Sequence, residues 1–266
     1  MTRDDKPFTL DDFSKARANG RKIVMVTAYD HPMARCLDEA GVDCLLVGDS
    51  LGMVVQGKAD SLSVTVDDMI YHGKMVRAAA RRAFVVVDMP FLSYHISDED
   101  ALRNAGRILR ETGANAVKLE GGQSRAGTVA RMADAGIPVM GHVGLTPQSV
   151  RRLGGFKVQR DADAVLADAK ALEEAGVFSM VVECVPAGLG HRVTSVVAVP
   201  TIGIGAGPGC DGQVLVLHDL LGLEESMRPK FSKRYAEMAS LVRDAAGRYA
   251  AEVRSGEFPG EGNSFR

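Results

Sequence analysis

Short apolar runs rich in β-branched residues alternate with helix-periodic segments along most of the chain. The runs lie at 23–27 (IVMVT), 43–47, 83–87 (AFVVV), 115–119, 137–140, 178–182, 200–204 and 213–217 (QVLVL). They are too short for helices and largely lack polar alternation, which predicts strands buried on both faces. Between them, helices are predicted at 31–40, 67–82, 98–112, 123–135 and 161–175, with Gly41, Gly113 and Gly176 as stops. A weaker helix at 188–197 is diluted by Gly188 and Gly190. Thr9, followed by Asp11 and Asp12, reads as the N-cap of an opening helix that stops near Gly20. A long last helix over 230–254 carries Phe231, Tyr235, Met238, Leu241 and Val242 at helical spacing, and a polar, glycine-rich tail at 255–266 either frays or packs on a neighbour.

Eight strands alternating with helices predict an α/β protein. The expected architecture is a (β/α)₈ TIM barrel with an N-terminal helix and a long C-terminal helix, forming one domain over 1–266. The connection at 207–212 is too short for a crossover helix, so the repeat is imperfect there. Two connections, 52–66 and 144–160, are long, and long loops in compact domains are often functional.

Composition narrows the partners. With 46% hydrophobic and 25% charged residues, the 266-residue chain has ample material for a core. A net charge of −2 without like-charge runs gives no electrostatic basis for binding nucleic acid or an anionic membrane. Four cysteines without a CxxC pair argue against a disulfide framework or structural zinc and for a reducing compartment. The first residues lack a secretory apolar run, and no apolar segment approaches a membrane span; the expected location is cytoplasmic.

In a barrel of this kind the active site lies at the carboxyl ends of the strands. Those ends supply Asp49, Asp88, Glu120, His142, Glu183 and Asp219. Converging carboxylates repel one another, and a divalent cation relieves the repulsion; oxygen ligands with few histidines favour magnesium over zinc. The competing reading is that each acid caps a helix or pairs with Lys or Arg. Recurrence of the placement on strands two, three, four and six weighs against that. Lys118 lies two residues before Glu120, hence on the same face, and a cation in an apolar strand needs an anionic partner. The partner is either a neighbouring acid or an anionic substrate beside the metal. Glu183 follows the apolar MVV at 180–182, surroundings suited to a general base, with a further ligand or cap as the alternative. His142 can orient another group or act itself. GPGCDG at 207–212 matches GxGxxG, but a strand follows instead of a helix, so it is no dinucleotide fingerprint.

Several stretches resemble ketopantoate hydroxymethyltransferases: TAYD at 27–30, VGDSLGMVVQG at 47–57, DMPFLSY at 88–94 and KLEGG at 118–122. GHVGLTPQS at 141–149, GGFKVQ at 154–159, ECVP at 183–186, IGIGAGPGCDGQVLV at 202–216, HDLLGL at 218–223 and PKF at 229–231 extend the likeness. The resemblance implies a magnesium-dependent barrel enzyme of pantothenate biosynthesis. It would move a hydroxymethyl group from 5,10-methylenetetrahydrofolate to the 2-oxo acid 3-methyl-2-oxobutanoate, giving 2-dehydropantoate. Asp49, Asp88 and Glu120 would be the metal ligands. Asp49, Ser50, Asp88 and Lys118 would hold the keto acid, and Glu183 would be the catalytic base. It also implies a homo-oligomer, commonly a decamer. Lys58, Ser63 and Arg160 depart from the family's usual residues, which bears on loop closure and folate contact. Two other readings stay open: a magnesium-dependent carbon–carbon lyase of the isocitrate-lyase type, and a non-catalytic barrel that binds a keto acid.

Overall fold

A computed structural model describes residues 6–225 and 229–265. The first five residues, on which the expectation of no secretory signal partly rests, and Arg266 at the end of the tail lie outside them. The chain forms two compact units, Met1–Val216 and Leu217–Arg266.

In the first unit, β1 (Ile23–Thr27), β2 (Cys44–Val47), β3 (Phe84–Asp88), β4 (Ala116–Lys118), β5 (Val139–Gly144), β6 (Ser179–Glu183), β7 (Thr201–Ile204) and β8 (Gly212–Leu215) form a closed parallel barrel in sequence order. The helices are α1 (Leu10–Ala18), α2 (His31–Ala40), α3 (Leu51–Val54), α4 (Val66–Ala79), α5 (Asp98–Thr112), α6 (Ala126–Asp134), α7 (Val150–Leu153), α8 (Ala162–Glu174) and α9 (Ala187–Val196). The second unit holds α10 (Leu217–Leu221) and α11 (Met238–Ser255).

Side-chain parity explains how the core and the site share strands. Met25, Cys44, Leu46, Phe84, Val86, Ala116, Met140, Val181, Ile202 and Val214 make one buried cluster. Two residues further along each strand, the same face presents Asp88 after Val86, Lys118 after Ala116, His142 after Met140 and Glu183 after Val181. The apolar filling thus gives way to a polar layer at the carboxyl end. Phe13 of α1 belongs to the cluster and packs edge-on against Phe84 and Phe178, with ring centroids 5.2 and 5.1 Å away. Both contacts lie at the start of strands, so α1 covers the amino end of the barrel.

Predicted bounds hold for β1, α2 and α5, whose ends carry strong local signals. Asp30 caps α2 by accepting from the Met33 N–H at 2.8 Å, and Gly41 ends it in the left-handed conformation. α4 stops at Ala79 instead of 82. The buried Asp38 carboxylate accepts from the N–H groups of Arg81, Arg82 and Ala83 and draws them out of the helix. β5 runs on to Gly144, because pairing with β6 overrides the weak strand preference of GHVG. The long connections contain the short helices α3 and α7. Asp219 is a correction: β8 ends at Leu215, and Asp219 lies inside α10, not at a strand end. α11 begins at Met238, not at 230; the Tyr235 N–H donates to Leu220 O at 2.8 Å, in irregular chain before the helix. In the tail, Phe258 packs edge-on against Tyr249 of α11 at 5.4 Å.

Candidate active site

Parallel register sets Asp88 of β3 opposite Lys118 of β4. Their side chains form an ion pair, Lys118 Nζ to Asp88 Oδ1, at 2.9 Å, each 5% exposed. Burial opposes the Lys118 charge, but Asp88, Glu120 and Asp49 outweigh it and hold its pKa above the ordinary lysine value. Lys118 Nζ also lies 3.3 Å from His142 Nδ1. An ammonium group only donates, so Nδ1 accepts and the ring proton sits on Nε2. That nitrogen is 3.2 Å from Glu183 Oε2. Burial, followed by the Lys118 charge, lowers the His142 pKa and keeps the ring neutral. A polar row therefore runs Asp88, Lys118, His142, Glu183 across β3 to β6.

Glu183 is held by its backbone. The Leu145 N–H donates to Glu183 O at 2.9 Å, and a Cβ on Gly144 would come within 2.3 Å of that oxygen, so only glycine fits there. Cys184, next in the chain, adopts φ 47°, an uncommon strained value for a side-chain-bearing residue. Burial and the Glu183 charge push its thiol up to about 12, which leaves it a poor nucleophile at neutral pH.

A second set of contacts centres on the remaining acids. The Asp49 N–H donates to Asp88 Oδ2 at 3.1 Å. Asp49 Oδ2 accepts from Gln148 Nε2 at 2.9 Å, and Glu120 Oε2 accepts from the Gln148 N–H at 2.9 Å. Burial, reinforced by Asp88, pushes the Asp49 carboxyl up to about 7. Burial and Asp49 push Glu120 well above the carboxylate range. Ser50 Oγ lies 2.9 Å from the buried Tyr29 hydroxyl, and burial keeps that phenol protonated. The expected residues Asp49, Ser50, Asp88, Lys118, Glu120 and Glu183 thus come to one end of the barrel, with His142 among them. Tyr29, Tyr94 and Gln148 carry no charge and do not stand out in the sequence. Their only signal is their place inside TAYD, DMPFLSY and GLTPQS.

Residues 7–261 match the profile of the ketopantoate hydroxymethyltransferase family. The chain belongs to that family. It is 56% identical over 253 residues to the 3-methyl-2-oxobutanoate hydroxymethyltransferase of Syntrophus aciditrophicus (strain SB), covering 94% of this chain and 93% of that one. Among solved structures, 2,3-dimethylmalate lyase, a PEP mutase/isocitrate lyase superfamily member, shares the fold with a TM-score of 0.60 at 16% identity, over 97% of this chain and 91% of that one. Phosphonopyruvate hydrolase, solved in complex with oxalate and Mg++, does so with a TM-score of 0.61 at 12% identity, over 96% and 93%.

In this member of the ketopantoate hydroxymethyltransferase family, no three of the described His, Cys, Asp and Glu side chains form a preassembled metal cage. The donor set nevertheless suits a hard divalent cation. Its members are buried carboxylates, and two of them are driven toward protonation by burial and mutual repulsion. Magnesium keeps several waters and needs only one or two protein carboxylates, so a closed cage is not required. The raised Asp49 pKa sets a pH dependence. A cation held by these acids would need them ionised, so magnesium affinity should climb with pH through about 7, where Asp49 ionises, and further as Glu120, also pushed up, follows. Calorimetry between pH 5.5 and 8.5 (roughly the span of the titration) checks this; a flat profile contradicts it. For folding the sign is opposite. A carboxyl held above its unfolded pKa takes stability away as pH rises toward 7, so the metal-free protein should melt lower at alkaline pH and magnesium should rescue it most there.

Proposed function

We propose that this enzyme transfers a hydroxymethyl group from 5,10-methylenetetrahydrofolate to 3-methyl-2-oxobutanoate, giving 2-dehydropantoate in pantothenate biosynthesis. Family membership supports the reaction. The observation that carries the mechanism is Glu183, facing the neutral His142 at 3.2 Å beside a cluster of buried acids.

We assign magnesium to Asp49 and Asp88, with Glu120 as the third member of the set; when bound, it supplies a positive charge that stabilises the enolate. The remaining steps belong to side chains. Lys118 pairs with the keto-acid carboxylate, and Ser50, braced by Tyr29, donates to it. Glu183 takes the C3 proton. His142, in the tautomer that Lys118 imposes, turns its Nε2–H side toward the Glu183 carboxylate at 3.2 Å and steadies it electrostatically. Water hydrolyses the folate methylene, its two protons going to the folate nitrogens and its oxygen to the one-carbon unit, which leaves tetrahydrofolate and a formaldehyde-level carbonyl. The enolate carbon bonds to that carbonyl carbon as its C=O π bond opens, and the resulting alkoxide takes the proton back from Glu183.

Incubating the protein with magnesium, the keto acid and methylenetetrahydrofolate should give 2-dehydropantoate, and omitting the folate or chelating the metal should stop it. Folate-independent cleavage of a 2-hydroxy acid would instead favour the lyase reading. Tight keto-acid binding without turnover would favour the non-catalytic one. We assign the protein to the cytoplasm, where its four free cysteines stay reduced. Among the described residues no helix is long and apolar enough to cross a membrane. We also infer a homo-oligomer, a decamer by family resemblance. The exposed Leu241, Val242, Tyr249 and Val253 of α11 supply apolar surface for association.

A further inference from the structure

We propose that Gln148 is a positioning residue that orients Asp49 and Glu120 together, and that cation affinity is transmitted through it. The inference rests on the assignment of magnesium to these acids.

Gln148 is 6% exposed and sits in a 3₁₀ turn, Pro147–Ser149, just after β5. Its side-chain amide and backbone N–H are all engaged. Nε2 donates to Asp49 Oδ2 at 2.9 Å and to Met89 O at 3.0 Å. Oε1 accepts from the Tyr94 hydroxyl at 2.7 Å, and the backbone N–H donates to Glu120 Oε2 at 2.9 Å. The amide orientation follows from its partners. Met89 O can only accept, so the nitrogen faces it. The Tyr94 oxygen accepts from the Glu120 N–H at 3.1 Å, which leaves its own proton for Oε1.

One residue therefore ties together the ends of β2, β3 and β4 and engages one oxygen each of Asp49 and Glu120. Charge explains why an amide stands there. A glutamate would set a further carboxylate against Asp49 and Met89 O. A lysine would add a second cation that competes with the metal for the same acids. A neutral donor fixes the carboxylates without neutralising them. Groups that hydrogen-bond metal ligands in this way fix their orientation, and losing them weakens metal affinity.

The test is Gln148→Met, which keeps the shape and removes the side-chain hydrogen bonds, titrated with magnesium alone by calorimetry. Affinity should fall by about ten- to a hundredfold, and the KM for the keto acid should rise. A lower melting temperature with unchanged magnesium affinity marks a purely structural role and overturns the proposal. If Gln148→Met does not fold, Gln148→Asn decides, because it keeps a side-chain amide and the backbone N–H but draws the amide one methylene back from Asp49 and Met89. A weakened magnesium affinity in that variant supports the proposal, and an unchanged one overturns it. Wild-type protein that binds no magnesium removes both this inference and the cation assignment. Wild-type binding matched by Gln148→Met removes this inference alone.

Discussion

Glu183→Gln should slow exchange of the C3 proton of 3-methyl-2-oxobutanoate with solvent by about 10²- to 10⁴-fold, the usual contribution of a positioned base. The amide is nearly isosteric and still offers an oxygen to His142 Nε2–H, 3.2 Å from Glu183 Oε2 in the native protein. It has no basic oxygen to accept a proton. Magnesium affinity should barely change, because Glu183 lies at the far end of the row from Asp49 and Asp88. The loss should therefore appear in kcat, with little change in KM. Exchange at the wild-type rate in this variant would remove Glu183 as the base. Loss of magnesium binding would recast it as a ligand.

Lys118→Met should have the second-largest effect, on stability as well as activity. The variant leaves Asp88 as a buried carboxylate without its 2.9 Å ion-pair partner. Breaking a buried pair from one side costs about 3–5 kcal/mol, which for a chain of this size lowers the melting temperature by roughly 6–20 °C. Adding Asp88→Asn should restore much of that stability, since the orphaned charge is gone. It should not restore activity, because the keto acid still lacks its cationic anchor and the metal has lost one of its assigned carboxylates. With that anchor lost, kcat/KM should fall by roughly thirtyfold or more. Recovery of both stability and turnover in the double variant would reduce Lys118 to a structural counter-ion and remove Asp88 from the metal ligands. An unchanged melting temperature in the single variant would contradict the buried pair.

Much of this arrangement is legible in the sequence, for a definite reason. A strand keeps its facing every second residue, so inward-facing Val86, Ala116, Met140 and Val181 commit Asp88, Lys118, His142 and Glu183 to the barrel mouth. Helix ends are legible where a side chain or glycine dictates the backbone, as at Asp30 and Gly41. What escapes depends on long-range contacts. The end of α4 is set by Asp38, some forty residues earlier in the chain. The length of β5 is set by its partner strand. Asp219 looks like another strand-end acid because the QVLVL run has no sharp stop, yet the strand breaks at Leu215 and a helix follows. Gln148 is the largest omission. A search for charged groups passes over a neutral amide, and only the structure reveals that its hydrogen bonds reach two acids at once.

The central claim is that these acids, Lys118 and Glu183 act together to remove the C3 proton of a 2-oxo acid. Its most direct test is proton NMR of 3-methyl-2-oxobutanoate in deuterium oxide, with wild-type protein and magnesium and without folate. The C3 proton signal should disappear at a rate proportional to enzyme, and adding a chelator should stop the loss. A C3 signal that persists unchanged in the presence of enzyme and magnesium would contradict it.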